Sequence, residues 1–200
     1  MKLILVRHGR PDEGDVARPN DPPLNTDGRR QANAVAALLA QEGVTRIIAS
    51  PLARARQTAE PLAERLGMPI DIVEGWAEAD RCVSRYRSME TLRAHGDDEW
   101  RRFLRDPIRF LGGDPESFRA GVLDTLGALI AESARSARVA VFTHGMPINI
   151  VLSHALGLEG LVHFPPGYGS VTRLRARSDG AIGVVSVNES GHNAWKAPRS

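Results

Sequence analysis

Three stretches of this chain run from an apolar segment directly into residues that handle anions. LILVRHG ends in Arg7, His8 and Gly9; RIIASPLARARQT passes through Ser50-Pro51 to Arg54; VAVFTHGMP ends in His144-Gly145, with Pro147 beyond. A neutral imidazole can attack phosphorus and carry the phosphoryl group as a phosphohistidine. For that, its ring must be held in one tautomer, with the other nitrogen bonded to a backbone carbonyl. Arginine forks neutralise the non-bridging oxygens as charge redistributes. The leaving alkoxide needs a proton, so a carboxylic acid must stand near the bridging oxygen. Two histidines and two arginines meeting in one place would make an electropositive, donor-rich pocket for a phosphate. Metal binding is the rival use of the histidines. His8, His95, His144, His154, His163 and His192 include no His-x-His or His-x-x-x-His spacing, so no metal site is expected. The single cysteine, Cys82, has no visible base beside it and no partner for an internal disulfide, so neither a nucleophile nor an oxidising compartment is implied.

The elements that must position these residues can be read from apolar periodicity. Strand-like runs are Lys2–Arg7, Arg46–Ala49, Ile70–Val73, Arg138–Thr143, Val171–Arg175 and Ile182–Val187. Between them, Thr26 is a candidate N-cap for a helix to about Gln41, and Ser50-Pro51 reads as a cap and first turn for a helix to about Leu66. Asp114-Pro115 opens another, with Phe118, Val122, Leu126 and Leu129–Ile130 on one side, and Pro147 opens a fourth, to about Leu156. This alternation predicts an α/β fold: a three-layer sandwich with a mainly parallel central sheet and helices on both faces. Parallel strands end at one edge of the sheet, where open α/β folds bind ligands and helix N-termini present free N–H groups. The three motifs should therefore meet there. Asp12–Pro23, with three prolines and four acids, reads as an exposed loop.

Residues 79–113 resist patterning and read as a partly helical cover inserted over one end of the sheet, within a single domain spanning 1–200. The segment holds eight arginines: Arg81, Arg85, Arg87, Arg93, Arg101, Arg102, Arg105 and Arg109. Beyond Asp80, its acids are Glu90, Asp97, Asp98, Glu99 and Asp106. Such a surplus beside a phosphate pocket would favour a substrate carrying further negative charge; the other reading is an amphipathic lid with a solvated face. Over the whole chain, 26 basic residues nearly balance 24 acidic ones, which argues against a dedicated nucleic-acid binder. No apolar run approaches the roughly 18 residues of a membrane span, and Leu3–Val6 is too short for a signal-peptide core, so a cytoplasmic location is expected.

The motifs LVRHG, PPLNTDGRRQA, SPLARARQTAE, WAEAD and VFTHG, in this order and spacing, resemble the histidine phosphatase superfamily, in the branch of cofactor-dependent phosphoglycerate mutases and related small phosphatases. The resemblance runs from Lys2 to about Leu156, and the tail VNESGHNAW is similar to the family's last strand. It implies His8 as the phosphorylated nucleophile, Arg7 and Arg54 as ligands of the phosphoryl oxygens, His144 as a second pocket histidine donating to the phosphoryl group, and Glu78 as general acid. Glu74 and Asp80 are neighbouring alternatives for the acid. It further implies no metal or organic cofactor, and a small phosphorylated substrate. Nucleic acid and membrane are not expected as partners; a second copy of the chain is compatible with the resemblance. There are departures from the pattern. Arg10-Pro11 follows Arg-His-Gly, Gly14 stands where the family often has a phosphate-binding Asn, and DRCVSRYRSMETL replaces the Gly and Glu-Gly signals after the acid. The implied activity is therefore a metal-independent phosphomonoesterase. A phosphoglycerate mutase and a catalytically idle phospho-ligand binding module are the alternatives.

Overall fold

The first strand settles why Leu-Ile-Leu-Val is apolar without a break. β1 (Lys2–Arg7) lies inside the sheet, and its alternate side chains feed two different cores. Leu3 and Leu5 face one layer of helices; Ile4 and Val6 face the other. Each is almost wholly buried, and full burial of such a side chain stabilises by about 1.5–3 kcal/mol. The computed structural model describes residues 1–160 and 163–194, with backbone alone at Arg81, Cys82, Asp97 and Ala194. The expectation for Cys82 therefore lies outside the described side chains, and the end of the VNESGHNAW motif lies outside the described residues.

In chain order, α1 (Thr26–Leu39), β2 (Arg46–Ala49), α2 (Ala53–Leu66) and β3 (Ile70–Ile72) follow β1. Then come the cover helices α3 (Met89–His95), α4 (Asp97–Arg105) and α5 (Pro107–Phe110), and after them α6 (Pro115–Glu132), β4 (Arg138–Thr143), α7 (Gly145–Leu156), β5 (Val171–Ala176) and β6 (Ile182–Glu189). The six-stranded sheet has the order β3-β2-β4-β1-β5-β6. β3, β2, β4 and β1 pair in parallel, and β5 pairs antiparallel with both β1 and β6, so β5 alone is reversed in a mixed sheet that is mainly parallel, as expected. α1 and α2 supply Val35, Leu39 and Leu62 to one face, and α6 and α7 supply Leu126, Leu129 and Val151 to the other. Among the described residues no helix is long and apolar enough to cross a membrane.

Register brings the three motifs together. Arg7 pairs with Thr143 and Ala49 with Phe142, so β1, β2 and β4 end level. The ladder runs one residue further: His8 N–H donates to the Thr143 carbonyl at 3.0 Å, and Ser50 N–H to that of Phe142 at 2.9 Å. His8, Ser50 and His144 thus leave the sheet side by side.

Three helix starts differ from expectation, each for a local reason. Asn25, not Thr26, caps α1, because its backbone is extended and its side chain accepts from Gly28 N–H at 2.9 Å. α2 begins at Ala53, whose N–H is bonded by the carboxylate of Asp21, a residue of the exposed loop, at 2.8 and 3.1 Å. Ser50 is left free to turn elsewhere. α7 begins at Gly145, two residues before Pro147, because His144 occupies the cap position. Asp114 caps α6 as its sequence implies, accepting from Ser117 N–H at 2.9 Å.

Candidate active site

His8 is 2% exposed, and its Nδ1 lies 2.8 Å from its neighbour's carbonyl, Gly9 O. A carbonyl only accepts, so Nδ1 carries the proton and Nε2 keeps its lone pair. The turn is clamped onto α2: Gly9 N–H donates to Thr58 Oγ1 at 2.9 Å, and that hydroxyl donates to Arg54 O at 2.6 Å. Gly9 also passes so close to α1 that a Cβ would stand 2.5 Å from Gly28 O, which is why glycine follows the histidine. Burial, then the charges of Arg54 and Arg7, push the imidazole well below its ordinary basicity. The ring is neutral at physiological pH.

His144 stands beside it, with ring centroids 5.0 Å apart. Its Nε2 is 2.7 Å from Ser50 Oγ, and its buried Nδ1 has no hydrogen-bond partner. Ser50 Oγ already accepts from Leu52 N–H at 3.3 Å, so its own proton is free to donate to Nε2. In that tautomer His144 carries its proton on Nδ1; the reverse donation, from Nε2–H to Ser50 Oγ, would leave Nδ1 bare.

Arg54 is fully buried in the first turn of α2. Its Nη2 donates to both oxygens of Asp80 at 2.9 Å, and its guanidinium carbon lies 4.3 Å from the ring centroid of Tyr86. Arg7, at the end of β1, donates to Glu90 of α3 at 2.9 and 3.2 Å and to Pro166 O at 2.6 Å, and it lies 4.1 Å over the ring of Tyr168. Arg54 Nε and Nη1 and Arg7 Nε are buried without a hydrogen-bond partner, with Asp21 Oδ1 3.8 Å from Nη1.

Of the three candidate acids, Glu78 and Asp80 line the cleft beside His8, while Glu74 is exposed and does not line it. Glu78 accepts from Ala79 N–H at 3.0 Å and from Met146 N–H, in the first turn of α7, at 3.1 Å. Burial, and then the neighbouring charge of Asp80, raise its carboxyl to about 7. Asp80 is committed to Arg54. The structure thus brings His8, His144, Arg7, Arg54 and Glu78 to one edge of the sheet.

A family model for the histidine phosphatase superfamily (branch 1) matches residues 3–190. The chain belongs to this superfamily. A Citrobacter koseri protein named "Probable phosphoglycerate mutase" is 30% identical over 205 residues, covering 99% of this chain and 89% of its own. Phosphoserine phosphatase from Entamoeba histolytica, solved in complex with 3-phosphoglyceric acid, is 25% identical with a TM-score of 0.71, covering 96% of this chain and 98% of its own. A mycobacterial glucosyl-3-phosphoglycerate phosphatase shares the fold, with a TM-score of 0.75 at 21% identity over 94% of this chain and 99% of its own.

Within this histidine phosphatase fold, several site residues escape sequence reasoning. Ser50 reads as a helix cap but anchors His144. Asp80, offered by the sequence as an alternative acid, is the partner of Arg54 instead, and Tyr86, Glu90 and Tyr168 surround the two arginines with no periodic signal to announce them. The cover's cation surplus is also redirected. Among the cover's described arginines only Arg87 lines the cleft, and Glu99 holds it at 3.0 Å. Arg85, Arg93, Arg101, Arg102, Arg105 and Arg109 are exposed, because the cover turns its apolar faces inward and its charges to solvent. Gly14 is exposed and bonded to Asp12, so this position contributes no side-chain donor to the pocket.

Proposed function

We propose that this histidine phosphatase hydrolyses a small phosphate monoester through phospho-His8. One observation carries the reading. A buried imidazole with a bare Nε2 lies among four buried nitrogens that have no hydrogen-bond partner: Arg7 Nε, Arg54 Nε and Nη1, and His144 Nδ1. Leaving a buried donor unpaired costs about 1–3 kcal/mol, and phosphoryl oxygens are the acceptors that relieve such a cost.

In the first step His8 Nε2 forms a bond to phosphorus and the bond from phosphorus to the ester oxygen breaks. The proton of Glu78 passes to the leaving alkoxide. In the second step Glu78, now a carboxylate, takes a proton from water as its oxygen attacks phosphorus. The N–P bond breaks, inorganic phosphate leaves, and both residues return to their starting forms. Arg7, Arg54 and His144 hold the non-bridging oxygens throughout.

Turnover of p-nitrophenyl phosphate in the presence of chelator tests the reading. His8→Ala should abolish it, and Arg54→Ala should lower kcat/KM about a hundred- to a thousandfold. Unchanged turnover in His8→Ala would falsify the mechanism. The relatives named as phosphoglycerate mutases favour a second reading, phosphoryl transfer between positions of a phosphoglycerate; interconversion of 3- and 2-phosphoglycerate by the pure protein would establish it.

A further inference from the structure

We infer that the ligand's group beyond the phosphate is apolar and uncharged, so that the substrate is the phosphate monoester of an apolar alcohol or phenol. This rests on the phosphate-binding reading of the same cleft. Past the phosphoryl centre, the cleft wall is made by Met89, Leu92, Phe103, Leu111 and Met146. Leu92, Phe103 and Met146 are each 2% exposed or less and form one packed cluster, and Met89 of α3 reaches toward Gly145, where an added Cβ would stand 3.2 Å from its Cε. Met89 and Leu111 are only half-buried, and the water against them is released when an apolar group covers them.

The charges support the same conclusion. Each guanidinium lining the cleft already faces a carboxylate: Arg7 with Glu90, Arg54 with Asp80, Arg87 with Glu99. Among the described guanidinium and imidazole groups, the buried nitrogens without a hydrogen-bond partner belong to Arg7, Arg54 and His144, around His8, and none of them belongs to the cover. A second anion entering the cleft would be desolvated beside leucine and phenylalanine with Asp80 and Glu78 nearby, and among the described side chains no free cation of the cleft would meet it. Arg85 carries its charge in an adjoining hollow, where it is exposed.

The test is calorimetric binding of methyl-, butyl- and hexylphosphonate to the intact protein, beside 3-phosphonopropionate, which carries a carboxylate. Kd should tighten about three- to fourfold per methylene over the first few methylenes. 3-Phosphonopropionate should bind no more tightly than methylphosphonate. Leu111→Ala should flatten the chain-length slope, whereas Leu104→Ala, on the exposed side of α4, should leave it unaltered. A flat wild-type series, or a tenfold preference for 3-phosphonopropionate, overturns the inference; loss of that preference in Arg85→Ala would assign it to the adjoining hollow. Binding is read without turnover, so the wild-type series decides the ligand class even if Leu111→Ala fails to fold. Turnover of p-nitrophenyl phosphate with a flat series defeats this inference alone. A steep series without turnover defeats the enzymatic reading alone.

Discussion

Burial pushes both His8 and Glu78 toward their neutral forms, and their shifts run in opposite directions because their charged forms carry opposite signs. The proposed first step needs both neutral forms. It follows that kcat/KM for an alkyl phosphate should fall as pH rises through about 7, where Glu78 loses its proton. p-Nitrophenyl phosphate, whose leaving group needs no proton, should show a flatter profile. Glu78→Gln should cost about a hundred- to ten-thousandfold on the alkyl ester and far less on the aryl one. Identical profiles for the two esters would remove Glu78 from the acid role. The same shift bears on stability. Between 4.5 and about 7 the folded chain keeps a proton that the unfolded chain releases, so stability falls as pH rises through that window. The fall should shrink in Glu78→Gln, read from thermal melts at pH 5 and pH 8.

At the scale of elements, two close approaches hold the strand-end turns in place. A Cβ at Gly28 would lie 2.1 Å from Arg10 O, and backbone on both sides leaves nothing that can swing away. Gly28→Ala should therefore destabilise by about 1–3 kcal/mol in chemical denaturation. A change under half of the lower figure would mean that α1 can slide off the Arg-His-Gly turn. The other contact comes from α3, which lays the Glu90 carboxylate across the fork of Arg7. Burial alone would raise that carboxyl, but the Arg7 charge outweighs it and holds the group below its ordinary value. In the proposed mechanism an incoming phosphate shares Arg7 with this internal anion. Glu90→Gln should tighten competitive inhibition by inorganic phosphate several-fold; an unaltered inhibition constant would show that the two anions do not compete.

Over the whole molecule, a ligand that binds only the folded state stabilises it by about 2.7 kcal/mol at a hundred times its Kd. Inorganic phosphate should raise the melting temperature on that scale, and Arg54→Ala should abolish the rise. Much of this architecture is legible in the sequence. Unbroken apolar runs mark strands buried on both faces, and β1, β2 and β4 keep their expected bounds. Local chemistry fixes the Asp114 cap and the general order of helices. The edge where His8, Arg54 and His144 gather follows from parallel strands ending level. Other features depend on partners distant in the chain, which periodicity does not encode. Ser50 could cap α2 by its sequence, yet Asp21 takes that position and His144 takes the hydroxyl. Arginine-rich composition in the cover says nothing of direction; packing against α7 turns Leu92 and Phe103 inward and the cations out. The sequence by itself determined the residue types for phosphoryl chemistry and the strands that carry them, since both are local properties of the chain. Only the tertiary structure decided which carboxylate faces which arginine, which acid is held neutral and what lines the cleft, because burial and charge pairing exist only once distant segments meet.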